Sequence, residues 1–254
     1  MSSTHIHPEP SAATQSAYPS LPPPVPVNLA TFSERTCPYL PDRTATFRAL
    51  YAGRIHERVY HNFLDAGFRR AGHVIYQPVC RGCRACQPLR VPVADFRPDK
   101  SQRRCARRNQ DLLIQSAPPA LTDEKHDLYR RYLTGRHNGT MDDSGDSLED
   151  FLYDSPVRTL EFTYRDSAGK LLAVGICDVC EHSISSVYFY FDPAESKRGL
   201  GNFGVLMEID YARRMNIPHW YAGFWIKGCR AMEYKNSFRP CELLHPDGIW
   251  RKAQ

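Results

Sequence analysis

The chain contains no run of eighteen consecutive apolar residues, so no helix is expected to span a bilayer and no membrane partner is expected. Its first thirty residues lack an apolar stretch behind a basic flank, so no secretory signal is expected and the cytoplasm is the expected location. Neither a G-x-S-x-G element nor an H-x-x-x-H pair occurs, although there are ten histidines, which removes support for a hydrolase triad. Acids are nearly missing from residues 68–108, where Asp95 and Asp99 face eleven Lys and Arg residues. The whole chain carries a net charge of only +5, so the remainder is net negative. Such a lopsided distribution points to a polyanion as partner.

Cysteine, by contrast, is plentiful. Nine occur in 254 residues, and disulfides are not expected where no export signal is read. Cys177 and Cys180 fall on predicted strands, as buried thiols do. Cys80, Cys83 and Cys86 are spaced by two residues, which lets three thiols converge on one ion. Cys37, with Cys105 as the alternative, is the candidate fourth ligand of a zinc or iron–sulfur site. A second C-x-x-C pair is missing, and a set of reduced, packed thiols is the competing reading.

Residues 1–28 hold seven prolines among Ser, Ala and Thr and read as a disordered tail. A first half, 29–110, follows. Strands are expected over Ala45–Tyr51, Phe68–Gln77 and Pro88–Val93, with a helix over Arg54–Ala66 stopped by Gly67. Pro98 opens a further helix carrying Arg103, Arg104, Arg107 and Arg108. Six of the twelve residues of Arg97–Arg108 are basic, more than local acids can pair. Together with Arg69 and Arg70 upstream, these four arginines are expected to contact a phosphate backbone.

The second half, 111–254, reads β-α-α-β-β-β-α-β-α-β-β. A hairpin turns at Asp166–Gly169, a strand runs over Ser183–Phe191, and a glycine-bearing loop leads into a helix over Asn202–Met215. This order resembles the GNAT acyltransferase fold, giving an α+β chain with a cysteine-bearing α/β half ahead of a GNAT-like domain. Lys197, Arg198, Gly199 and Gly201 stand where that fold grips a phosphate with backbone N–H groups at a helix start. Tyr188, Tyr190, Tyr221, Trp225, Lys227, Tyr234 and Lys235 are candidates to line one pocket where the central strands part.

Several segments carry a resemblance. They are Cys37-Pro38-Tyr39-Leu40-Pro41, Gly67-Phe68-Arg69-Arg70-Ala71-Gly72, Tyr76-Gln77-Pro78-Val79-Cys80 and Cys83-Arg84-Ala85-Cys86-Gln87-Pro88-Leu89-Arg90. Further on are Tyr188-Phe189-Tyr190-Phe191-Asp192-Pro193 and Gly223-Phe224-Trp225-Ile226-Lys227-Gly228-Cys229. Over about residues 30–250 the chain resembles the aminoacyl-tRNA–protein transferases, in particular the bacterial aspartate/glutamate leucyltransferase branch. That resemblance implies transfer of leucine from Leu-tRNA to proteins with N-terminal Asp or Glu, marking them for N-degron degradation. Arginyl-transferring relatives carry a cysteine cluster linked to iron–sulfur binding, with a spacing that differs from the triplet here. An aminoacyl ester is already activated, so no cofactor is required. The residues expected to act are Tyr188, Tyr190 or Tyr234 on the amine or the leaving oxygen, and Lys227, Arg230 or Lys235 on the acceptor's acidic side chain. Arginyl transfer, a coenzyme-A-dependent N-acetyltransferase and a zinc-bearing RNA-binding module are the alternatives.

Overall fold

The computed structural model describes residues 28–137 and 144–253. The expected disordered tail therefore lies outside the described residues, except for Asn28. β1 (Ala30–Thr36) and β2 (Thr44–Tyr51) pair antiparallel. β1 was not anticipated. It is a sheet edge with Phe32 exposed, so no apolar alternation marks it in the sequence.

α1 (Glu57–Asp65) buries Tyr60, Phe63 and Leu64. The single strand expected over Phe68–Gln77 is a hairpin, β3 (Arg69–Ala71) and β4 (Val74–Pro78). Gly72 turns it at φ +54, a conformation L side chains avoid. These strands form a four-stranded antiparallel sheet in the order β1-β2-β4-β3.

β5 (Gln87–Pro92) leaves that sheet. α2 (Lys100–Arg108) starts on a capping box: Asp99 Oδ1 accepts from Gln102 N at 2.8 Å, and Gln102 Oε1 accepts from Asp99 N at 2.9 Å. Then come β6 (Leu113–Ala117), α3 (Asp123–His137), α4 (Gly145–Leu148) and a single π turn over Glu149–Tyr153. β7 (Thr159–Arg165), β8 (Leu171–Val179) and β9 (Ser183–Phe191) form a meander. A 3-10 turn over Pro193–Arg198 leads into α5 (Leu200–Arg214) and β10 (His219–Trp225). α6 (Arg230–Glu233) runs into a 3-10 turn over Tyr234–Ser237, and β11 (Glu242–Leu244) with β12 (Trp250–Lys252) closes the chain. From β6 onward this is the element order read from the sequence, and the whole is α+β.

The large sheet runs β12-β11-β5-β10-β9-β8-β7-β6. β5, from the first half, sits between β11 and β10, so the 110/111 division cuts across a shared sheet. Periodicity identifies a strand but not its neighbour, which is why this insertion was not visible. Side chains reinforce it: Arg90 on β5 donates to Glu242 at 2.7 Å and to Asp65 of α1 at 2.6 Å.

One face of the large sheet packs α5 through Phe203, Leu206 and Ile209 against Leu89, Val91, Phe162 and Trp220. The other face carries two separate apolar clusters. One joins α1 and β4 to Tyr221, and the other joins α3, α4 and the π turn to Val174, Ile176 and Tyr190. The functional side chains gather where these two clusters meet.

Candidate active site

β9 and β10 are the parallel pair of the large sheet, and they stay together for only three residue pairs, Ser183–Ser185 with His219–Tyr221. Beyond that β9 continues along β8, and β10 along β5. Each strand bulges at the parting. Val187 is passed over between Ser186 and Tyr188, and Ala222 between Tyr221 and Gly223. Bulges re-aim side chains and end pairing, as sites require. β9 is buried at both ends but half-buried from Ser186 to Phe189, and Gly223 and Trp225 are half-buried on β10. The opening between the strands is the cleft.

Aromatic rings wall one side. Tyr188 stands edge-on to Phe151, Tyr129 and Tyr132, with centroids 5.5, 6.1 and 6.3 Å away. Burial holds its hydroxyl well above the ordinary phenol range. Tyr234 is 44 % exposed at the start of the 3-10 turn that follows α6, and burial of its hydroxyl, then the nearby Glu208 and Tyr132, push it up to about 12. Tyr190 is closed off. It is fully buried, and its hydroxyl pairs with that of Tyr153 at 2.6 Å. This corrects the expectation of a catalytic Tyr190. Alternation along β9 put it with Tyr188, but its outer end is sealed by the π turn.

Glu208 was not singled out in the sequence. It lies on α5, 1 % exposed, and accepts from Trp220 Nε1 at 2.7 Å and from Ser186 Oγ at 3.3 Å. Burial pushes its carboxyl up to about 7. The available signal was a charged residue on the apolar stripe Val205, Ile209 and Ala212.

The basic segment divides into two populations. Arg69 and Arg70 on β3 are buried, not surface contacts for a nucleic acid. Arg70 grips Asp178 of β8 with two hydrogen bonds of 2.7 and 2.8 Å, and both side chains are closed to solvent. Tyr60 and Thr159 donate to the same carboxylate at 2.6 and 2.8 Å. This fully bonded group anchors the first half to β8. Arg69 points into the cleft, where its Nη1 donates to Ser185 Oγ at 3.2 Å and its guanidinium lies 5.7 Å from the Tyr221 ring. Its Nε and Nη2 have no hydrogen-bond partner among the described residues. Opposite stands Lys235, whose ammonium donates to Phe224 O at 3.1 Å. Burial, then the charge of Arg69, lowers that ammonium to about 7. Charge content does not reveal which way a strand's side chains point, which is why both arginines were assigned to the surface.

Arg103, Arg104, Arg107 and Arg108 of α2 are exposed, as expected for a phosphate-contacting face. α2 packs on the glycine loop. Arg108 donates to Lys197 O, Asn109 Nδ2 to Arg198 O at 3.0 Å, and Cys105 Sγ to Gly199 O at 3.4 Å. The loop follows directly on β9, so this cationic surface borders the cleft. Arg198 itself is committed elsewhere: it forks onto Asp111 with two bonds of 2.9 Å and onto Glu195 at 2.9 Å. Its expected role as a phosphate ligand is thereby corrected, since two acids already occupy the guanidinium. Lys197 is exposed, Gly199 caps α5, and a side chain on Gly201 would meet open space. Lys227 and Arg230 are exposed beyond the end of β10, and Trp225 is half-buried at that end.

The cysteines form a loose neighbourhood rather than a ligand set. Among the described residues, no three His, Cys, Asp or Glu side chains converge enough to hold a metal ion. Cys80 exchanges hydrogen bonds with the backbone of Thr46 at 3.4 and 3.7 Å, and Cys83 accepts from Arg43 at 3.4 Å. Burial, then the nearby Cys37, Cys80, Cys83 and Cys229, push the Cys86 thiol up to about 12. These thiols do not fit a common ion in this arrangement, which corrects the four-cysteine site drawn from spacing. Cys105 is away from them, on α2 beside Gly199. Cys229, from the far end of the chain, joins the group unannounced by any spacing rule.

Residues 35–104 and 124–245 match the models for the N-terminal and C-terminal parts of the arginine-tRNA-protein transferases. An aspartate/glutamate leucyltransferase of Stenotrophomonas maltophilia is 44 % identical over 220 residues, covering 82 % of this chain and 86 % of its own length. One from Halorhodospira halophila is 42 % identical over 222 residues, covering 86 % and 94 %. Among solved structures, L-PGS from Bacillus licheniformis is similar at a TM-score of 0.45 and 13 % identity, over 73 % of this chain and 55 % of that one. With both family models and nearly the full length of these relatives matched, the chain is a transferase belonging to the arginine-tRNA-protein transferase family.

Proposed function

We propose that this enzyme transfers leucine from Leu-tRNA to the N-terminal Asp or Glu of acceptor proteins. The observation that carries the reading is the agreement, over 82 % of the chain, with relatives named aspartate/glutamate leucyltransferases. The cleft supports it, because it opens beside an exposed cationic helix suited to a phosphate backbone. The acceptor's α-amine attacks the ester carbonyl, a C–N bond forms, the ester C–O bond breaks, and the ribose oxygen leaves with a proton. The ester is already activated, so positioning supplies most of the acceleration, worth roughly 7–11 kcal/mol in favourable cases. A free α-amine has a pKa of about 7.7–8.0, so a strong base is unnecessary. Ser186 takes the amine's proton as it passes its own to the Glu208 carboxylate, and Tyr188 and Tyr234 orient the reacting ends. On this reading the product carries leucine ahead of its acidic residue, a mark for the N-degron route in the cytoplasm.

The test supplies labelled Leu-, Arg- and Phe-tRNA with peptides beginning in Asp, Glu, Lys or Ala. Leucine should appear on the Asp and Glu peptides alone. Transfer of arginine in preference to leucine, or no transfer at all, overturns the reading.

A further inference from the structure

Two cations face each other inside the cleft with no acid between them. Arg69 is 5 % exposed and makes no ion pair among the described residues. Lys235 spends its ammonium on one carbonyl. They converge beside Gly223: a Cβ built there would lie 3.3 Å from Lys235 Nζ and 3.8 Å from Arg69 Nε. Gly223 sits at φ +87, so the backbone and the close approach of Lys235 both call for glycine there. A buried guanidinium with two idle donors is costly unless something answers it. Asp178, the carboxylate whose charge reaches Arg69, is already filled by Arg70, Tyr60 and Thr159.

We infer that Arg69 and Lys235 form the receptor for the side-chain carboxylate of the acceptor's N-terminal residue. This rests on the function proposed above and deepens it. A carboxylate has two oxygens to accept from two different cations, and charge-assisted bonds of this kind are the strong ones. The lowered proton affinity of Lys235 fits an ammonium waiting for a counter-charge. Arg69 lies 5.7 Å from the Tyr221 ring and 6.0 Å from the Phe224 ring, and Phe224 in turn packs on Tyr76 at 6.3 Å, so aromatic rings surround the pair. The flexible lysine accommodates the one-methylene difference between Asp and Glu. Asn and Gln would turn an amide N–H₂ toward a donor, so the same pair should disfavour them without a steric barrier.

Transfer kinetics with Leu-tRNA and peptides beginning in Asp, Glu, Asn or Gln test this, using wild type, Lys235→Met, Lys235→Arg and Arg69→Lys. Lys235→Met, at a half-buried position, should raise the KM for Asp and Glu peptides about tenfold or more and narrow their advantage over Asn and Gln. The KM for Leu-tRNA should hold, and Lys235→Arg should keep the preference. Arg69→Lys, which loses the fork, should fall between them. A Lys235→Met enzyme with undiminished acid preference overturns the receptor. So does a rise confined to the KM for Leu-tRNA, which would put the cation pair on the nucleic acid. Wild type that transfers nothing to any peptide sinks the function reading instead. In that event, fluorescence anisotropy of labelled Asp- and Asn-initiated peptides on the same four proteins decides the receptor independently, because loss of Asp-peptide binding in Lys235→Met upholds it and equal binding removes it.

Discussion

Glu208→Gln isolates the energetic cost of the buried carboxyl beside the cleft. The side chain lies inside the fold, and its carboxyl is raised from 4.5 to about 7, chiefly by burial. A raised carboxyl holds its proton more tightly in the folded chain than in the unfolded one. Stability from this group is therefore greatest at low pH and falls as pH climbs from the unfolded value through about 7. The gap, at about 1.36 kcal/mol per pH unit, sets a ceiling of about 3 kcal/mol. About 2 kcal/mol of that falls between pH ~5.5 and pH ~8.5. Glutamine keeps the shape and an oxygen for Trp220 Nε1 but cannot ionise. Urea unfolding of both proteins at those two pH values gives the answer. Relative to wild type, the variant should gain about 2 kcal/mol on moving to the higher pH. A stability difference that stays flat would show that Glu208 is ionised throughout, as a solvent-exposed carboxyl would be, and would refute the burial-raised carboxyl.

Two further outcomes follow from the geometry. Asp178→Asn leaves Arg70 as a buried charge without its counter-ion, and chemical denaturation should show a loss of about 3–5 kcal/mol, with a loss below about 1 kcal/mol refuting the anchor. Arg104→Glu combined with Arg107→Glu should raise the KM for Leu-tRNA and flatten its dependence on salt while sparing the acceptor KM. An unchanged tRNA KM at low ionic strength would take α2 out of the nucleic-acid surface.

Much of the second half was legible from local chemistry. The Asp166–Gly169 turn, the alternation along β9 and the glycine step into α5 each carry a short-range signal for the element order. Pro98 likewise marks the approach to α2, whose Asp99 cap the structure adds. What stayed hidden depends on partners far along the chain. Arg69, Arg70, Arg90 and Arg104 look alike in sequence, yet three are turned inward by β3 and β5 and only Arg104 faces water. Of the three tyrosines expected to act, Tyr188 is half-buried where the strands part and Tyr234 is exposed after α6, while Tyr190 is closed off by Tyr153. Glu208 left a trace, an acid on an apolar stripe, and Lys235 owes its environment to Gly223 and Arg69, which no local rule connects.

The borrowed strand β5 has a consequence for how the molecule is made. Its two neighbours, β10 and β11, come from residues 219–244, more than a hundred positions downstream. While the ribosome is still working through the middle of the message, β5 has both hydrogen-bonding edges bare, the condition in which strands stick to the wrong chain. A nascent polypeptide stalled before β10 should therefore be a target for chaperones, and neither half is a natural unit for expression in isolation.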